Sequence, residues 1–300
     1  MSIVRHIMIS ALVLLVAAGC IRENRDDCRG DVYLHFIYNG DGDTDIFPDK
    51  IECVGMYVYS LDNSSLHSEY SFDEQDLNAL QGTHLMLPPG NWRLVLWGNA
   101  AERSVLDRNW GTGHVAEPGY FDGSGTYSGT DSLYFSTLDI TVPETLQDVD
   151  DTCYFESSHI KMYVKLDGFA DMIDASTGEP AEIVLHHEGS PVYTDFTNTP
   201  SDERCKVIPE MFPDPDDPDA YVLFYNVFRF DEDDPECRIV LRFSDGREIH
   251  TVSLANFIDR YRLRVNDRNE VIIPIRIFPT ETGVSVVDWD IINVDPGFEK

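Results

Sequence analysis

Lysine and arginine are scarce in this chain. Only 22 stand against 54 aspartates and glutamates, a formal charge of −32 over 300 residues. Affinity for nucleic acid comes largely from Lys and Arg displacing counterions, so the deficit excludes nucleic acid as a partner. It equally excludes attachment to an anionic bilayer through a basic patch. Beyond residue 18 no apolar run approaches the roughly 20 residues that cross a bilayer as a helix. The signatures of common catalysts are missing as well: there is no G-x-S-x-G elbow, no Walker loop and no H-E-x-x-H. Amphipathic helical stripes are few, with only Asp73 to Leu80 and Ser253 to Leu263 offering a few turns each.

What is present begins at the N-terminus. Arg5 and His6 precede an uncharged stretch from Ile7 to Ala18, and Gly19 and Cys20 follow. About a dozen apolar residues suit the h-region of a secretory signal and are too few for a spanning helix. Ala17, Ala18 and Gly19 directly before Cys20 resemble a bacterial lipobox, although Ala17 replaces the commoner Leu. Cys20 is therefore the expected site of lipid attachment, because acyl chains contribute roughly 0.8 kcal/mol per buried CH₂ and together hold a soluble body on a membrane. Residues 1–19 read as a signal peptide and residues 20–30 as a lipidated polar tether.

The remaining cysteines are Cys28, Cys53, Cys153, Cys205 and Cys237. An odd number cannot all pair within one chain, and no spacing among them resembles a metal site or assigns a bridge. One or two disulfides, or buried free thiols, both fit a compartment that permits oxidation.

Short alternating runs dominate the mature chain, as strands with one buried face require. The clearest is His159 to Asp167, with Ile160, Met162, Val164 and Leu166 on one side and Lys161, Tyr163 and Lys165 on the other. Ten further runs are Val32 to Tyr38, Val54 to Tyr59, Trp92 to Trp97, Leu133 to Thr141, Ile183 to His186, Tyr221 to Phe230, Arg238 to Phe243, Glu248 to Leu254, Val271 to Phe278 and Val284 to Val294. Asp245-Gly246 between two of them signals a type I′ hairpin. The expected class is all-β, with antiparallel sandwiches as the default because helices for parallel crossovers are lacking. Acidic residues and Pro143 interrupt the apolar pattern before His159, which places a boundary near residue 150. The expected division is an N-terminal β-sandwich over 31–150 and a C-terminal one over 151–300. Gly111 to Thr130, with six glycines, and the proline-rich Thr197 to Ala220 read as long loops.

Metal chemistry finds little support. Asp41-Gly42-Asp43-Thr44-Asp45 offers alternate carboxylates with Glu52 at the twelfth place, but Ile46 stands where an EF-hand needs Gly. A solvated acidic turn is the better reading. Asp214 to Asp219 and Asp231 to Asp234 are acidic clusters that composition alone explains. His186-His187-Glu188 alternates between the two faces of a strand, which keeps its ligands apart. No cofactor and no metal is expected.

Four segments, in this order, resemble the FimB-type fimbrial anchor family, the minor fimbrium subunit lipoproteins of type V pili in Bacteroides-group bacteria. They are Cys20-Ile21-Arg22-Glu23 with Asp27-Cys28 before the first strand, Leu87-Pro88-Pro89-Gly90-Asn91-Trp92 running on to Trp97-Gly98-Asn99, Ser158-His159-Ile160-Lys161-Met162-Tyr163-Val164-Lys165-Leu166, and Val287-Asp288-Trp289-Asp290-Ile291-Ile292. Trp92 stands where the family more often has Tyr, and His159 where it often has Arg. The resemblance implies two tandem transthyretin-like antiparallel β-sandwiches. It also implies a non-enzymatic protein on the surface of the outer membrane that fixes a fimbrial shaft subunit of the fimbrillin type and takes part in assembly. A lipid at Cys20 leaves the far end for the shaft, so Val286, Trp289 and Ile291 in the last strand are the expected partner contacts. The alternative is a surface glycan-binding lipoprotein whose Trp92, Trp97, Trp110 or Trp289 would stack on sugars. A secreted sandwich hydrolase would instead need two carboxylates at catalytic separation in one cleft.

Overall fold

Alternation at period two sorts the mature chain into strands wherever one face is apolar, and in the computed structural model those strands build two sandwiches. The structure describes residues 29–288 apart from 146, 171, 175, 281 and 282. The first half contributes β1 (Gly30–Ile37), β2 (Val54–Ser60), β3 (Ser65–Phe72), β4 (Gly82–Leu87), β5 (Gly90–Gly98), β6 (Val105–Asp107), β7 (His114–Ala116), β8 (Tyr134–Val142), β9 (Val149–Tyr154) and β10 (Glu156–Ser157). The second contributes β11 (His159–Asp167), β12 (Ile183–Pro191), β13 (Tyr193–Asp195), β14 (Arg204–Val207), β15 (Phe212–Pro213), β16 (Ala220–Phe228), β17 (Arg238–Phe243), β18 (Glu248–Ser253), β19 (Ile272–Thr280) and β20 (Gly283–Asp288). Among the described residues four helices, α1 (Phe47–Lys50), α2 (Glu74–Ala79), α3 (Pro118–Phe121) and α4 (Leu254–Tyr261), are short. The all-β class read from the sequence is what the chain adopts.

In the first sandwich a three-stranded sheet, β4-β1-β9, faces a five-stranded one, β10-β8-β5-β2-β3. Val32, Leu34 and Phe36 of β1 point into the space between them and meet Trp92, Leu94 and Leu96 of β5. Three inward side chains on each of these strands, with packed sheets about 10 Å apart, fill such a core without a third layer. Gly82 opens β4 with φ +155°, and a Cβ there would lie 2.1 Å from the carbonyl oxygen of Leu34. Only glycine lets the two backbones approach so closely.

The second sandwich sets β15-β16-β11-β19-β20 against β14-β12-β17-β18. Ile160, Met162, Val164 and Leu166 of β11 lie in its core with Ile273, Ile275 and Ile277 of β19, as the alternation required. Ser253 caps α4 by accepting from the amide of Asn256 at 3.4 Å, and Arg262 ends it in the left-handed region at φ 54°. Between cap and stop, Leu254, Phe257 and Ile258 recur at i, i+3 and i+4 and bury one stripe against the same core.

Three expectations need correcting. Not every pairing is antiparallel: β1 runs parallel to β9 and β11 parallel to β19. No crossover helix is needed, because the chain returns through the opposite sheet before pairing. The β17–β18 link is not a type I′ turn, since only Gly246 takes positive φ (93°) and the register shifts between Leu241 and Arg242. It is a turn followed by a bulge. The two Gly- and Pro-rich loops also hold short strands, β7 in one and β14 and β15 in the other. Position 150 lies inside β9, which pairs with β1, and β10 pairs with β8.

Candidate functional site

Leu94-Val95-Leu96-Trp97 is apolar on both faces, and a strand of that kind needs cover on both. Trp97 and Val95 point away from the first core into a second apolar layer with Tyr59, Val115, Leu133, Phe135 and Phe228. Phe228 belongs to β16, and Phe196, which packs on Tyr57, Tyr59 and Trp97, follows β13. Segments of the second half therefore seal the outer face of the first sandwich's larger sheet. Main-chain pairing reinforces the seal: β13 adds to β7 and β6 as a third strand. Thr130 pairs with Asn226, and Ile208 donates to the carbonyl of Tyr127 at 2.8 Å.

A polar clasp closes the seam elsewhere. The carboxylate of Asp41 accepts from the amides of Asn269 at 2.7 Å and Glu270 at 3.2 Å, and the Asn269 side-chain amide donates to the carbonyl of Gly40 at 2.9 Å. The phenol of Tyr38 donates to Glu270 at 2.5 Å, and Lys50 stands 3.7 Å from the same carboxylate. Burial opposes charge on Glu270, but the Tyr38 hydrogen bond and Lys50 hold its carboxyl below the usual range. The acidic turn of the sequence thus works as an inter-sandwich clasp, with Asp45 accepting from the amides of Tyr38 and Phe47. Close by, His159 is fully enclosed and donates from Nδ1 to the carbonyl of Leu133 at 2.9 Å, and burial pushes its pKa down to about 4.

The other sequence candidates fall into structural roles. His187 lies in the second core beside Tyr225, whereas His186 points to the opposite face with Glu188, which is held by Arg238 and Arg242. Asp214, with Asp167 and Asp217, surrounds the ammonium of Lys165. Among the described residues no group of three His, Cys, Asp or Glu side chains is placed to hold a metal ion. Cys53, Cys153, Cys205 and Cys237 are free thiols, and burial raises the pKa of Cys153 and Cys205 to about 12. A polar cleft of about 560 Å³ between the sandwiches includes Arg229, but that guanidinium is committed to the carbonyls of Val265, Arg268 and Asn269.

Trp92 is 6% exposed in the first core and Trp97 is fully buried, which removes the solvent-facing tryptophan row that a sugar-stacking platform would need. Trp110 is half-buried against Tyr59. The last strand, β20, pairs antiparallel with β19 at the edge of its sheet. Val284 and Val286 turn toward the second core, and Tyr261 at the end of α4 donates to the carbonyl of Val286 at 3.4 Å. Val286 therefore closes its own sandwich, leaving the outer edge and Ser285 and Val287 to any partner. Trp289, Ile291 and the lipid candidate Cys20 lie outside the described residues. Among the described residues no helix is long and apolar enough to cross a membrane.

Comparison with known proteins now bears on this architecture. The sequence model of the fimbrillin-A associated anchor proteins Mfa1 and Mfa2 matches residues 25–295. No curated protein matches by sequence. Among solved structures, the fimbrial anchor protein Mfa2 from Porphyromonas gingivalis superposes with a TM-score of 0.65 at 14% identity, covering 87% of this chain and 98% of that one. A candidate adhesin from Bacteroides ovatus gives 0.68 at 15% identity over 87% and 95%. A candidate polysaccharide-binding protein from Bacteroides thetaiotaomicron gives 0.65 at 14% over 88% and 100%. At such identities the superpositions speak for the fold, and the match over residues 25–295 speaks for descent: the chain belongs to the fimbrillin-A associated anchor family.

Proposed function

We propose that this chain is a non-enzymatic lipoprotein, acylated at Cys20, that fixes fimbriae to the outer membrane at the cell surface and takes part in their assembly. The family match carries the reading, and the lipobox-like Ala17-Ala18-Gly19-Cys20 supplies the attachment chemistry. Its two sandwiches are the two domains of the proposal, meeting at Ser158. The partner is a fimbrillin-type shaft subunit, met through the last strand and the residues after it, with Trp289 and Ile291 as apolar contacts and Val286 holding β20 in place. Support for this end comes from the position of β20, whose outer side has no neighbouring strand among the described residues, so that an extended segment could pair with it through main-chain hydrogen bonds. Removing residues 289–300 keeps every residue of β20 in the chain. Cells carrying that truncation are expected to shed fimbriae into the medium while displaying folded anchor. Fimbriae retained on the cells at the wild-type level would refute the C-terminal contact.

A further inference from the structure

The first sandwich has two outward sheet faces, and the one on the β5 side is sealed by the second half of the chain. The face left open is that of β4-β1-β9, where Tyr33, Met86 and Tyr154 are 41%, 52% and 65% exposed. All three stand at outward positions of adjacent strands, since Tyr33 pairs with His84, Met86 with Asp31 and Tyr154 with Ile37. The outward acids of this face do not stand alone: His84 lies 2.7 Å from Asp31 and His35 lies 3.1 Å from Asp150. No Lys or Arg occupies an outward position of the three strands. The surface is therefore aromatic, with each of its two outward carboxylates beside an imidazole, on a molecule of charge −32.

We propose that this face lies against the headgroup layer of the bilayer to which Cys20 is attached. The inference rests on acylation at Cys20. Nine residues separate Cys20 from Gly30, the first residue of β1, and β1 is the central strand of this very sheet. The ten Cα-to-Cα steps from Cys20 to Gly30 reach at most about 35 Å. A tether that short presents the face at millimolar effective concentration, so an intrinsic affinity of only millimolar order keeps it engaged about half the time. Tyrosines and methionine supply that affinity at an interface, where amphipathic rings settle at the headgroup level. The repulsion felt by the remaining acidic surface decays within about 10 Å, one Debye length.

The test uses the acylated full-length protein, labelled with ¹³C at its methionine methyls, in vesicles of phosphatidylethanolamine and phosphatidylglycerol doped with a gadolinium-chelating lipid. Met86 should broaden several-fold more than Met172 and Met211 of the second sandwich. In a chain with Tyr33→Asp and Tyr154→Asp the excess at Met86 should disappear. Equal broadening of Met86 and Met211 in a chain whose intact mass shows the acyl group would overturn this face and leave the anchor standing. An unacylated Cys20 on a chain that does not bind vesicles would overturn both.

Discussion

Glu117 is nearly sealed from solvent, yet its carboxylate accepts from the amides of Ser128 at 2.8 Å and Gly129 at 2.9 Å. Those two bonds fold the glycine-rich segment back on itself just where Tyr127 and Thr130 pair with the second sandwich. Burial pushes the Glu117 pKa up to about 7; the two amides and Arg103 work against that rise, and Asp131 adds to it. The folded chain thus holds this proton more tightly than the unfolded chain, so the contribution to stability is fully present below about 4.5 and is lost as pH rises through about 7. Glu117→Gln removes the titration while keeping one acceptor. Thermal melts from about pH 5 to pH 8 should show the wild type losing up to about 3 kcal/mol relative to the variant across that range. A pH-independent difference between the two would contradict the assignment. No sequence pattern marks Glu117 among 54 acids, because its partners are set by a loop whose path depends on the other sandwich.

Strands differ in how far local pattern decides them. β11 is readable because its buried and outward residues alternate without interruption, and α4 because cap, apolar stripe and left-handed stop coincide. Ser65–Phe72 and Val149–Tyr154 pair at sheet edges with few buried side chains, so neither leaves an apolar signature by which the sequence announces a strand. Parallel pairing of the first strand of each sandwich with a late one, β1 with β9 and β11 with β19, repeats in both halves although no sequence repeat is visible. Backbone hydrogen bonds that span over a hundred residues carry no local code. One contact at this scale has a sharp consequence: Gly82→Ala would drive a methyl into the carbonyl of Leu34 at a φ that L-residues avoid. Chemical denaturation should show a loss on the order of 2–4 kcal/mol, with β4 released from β1. A loss below about 0.5 kcal/mol would mean that the close approach is relaxed in solution.

Two cores in one chain need not unfold together, but here Phe196, Phe228, β13 and the Asp41 clasp join them through apolar, main-chain and ionic contacts at once. Calorimetry of the intact protein should give one cooperative transition. Asp41→Ala combined with Tyr38→Phe removes three hydrogen bonds of the clasp, each worth about 1 kcal/mol, and should split or broaden that transition. A single unshifted peak would place the coupling in the apolar layer and the main-chain pairing instead. The attributes legible from composition were those of the whole molecule, its strand-rich class and its dearth of cations, whereas the seam depends on pairs such as Tyr38 and Glu270 that stand 232 residues apart. The placement of β1 has one more consequence. Flanked on both sides, it can leave its sheet only by breaking two ladders, and traction along its axis strains their rungs simultaneously; β20, bonded on a single side among the described residues, can be peeled rung by rung. Hauled from opposite ends, such a molecule gives way at its distal margin first and keeps its root.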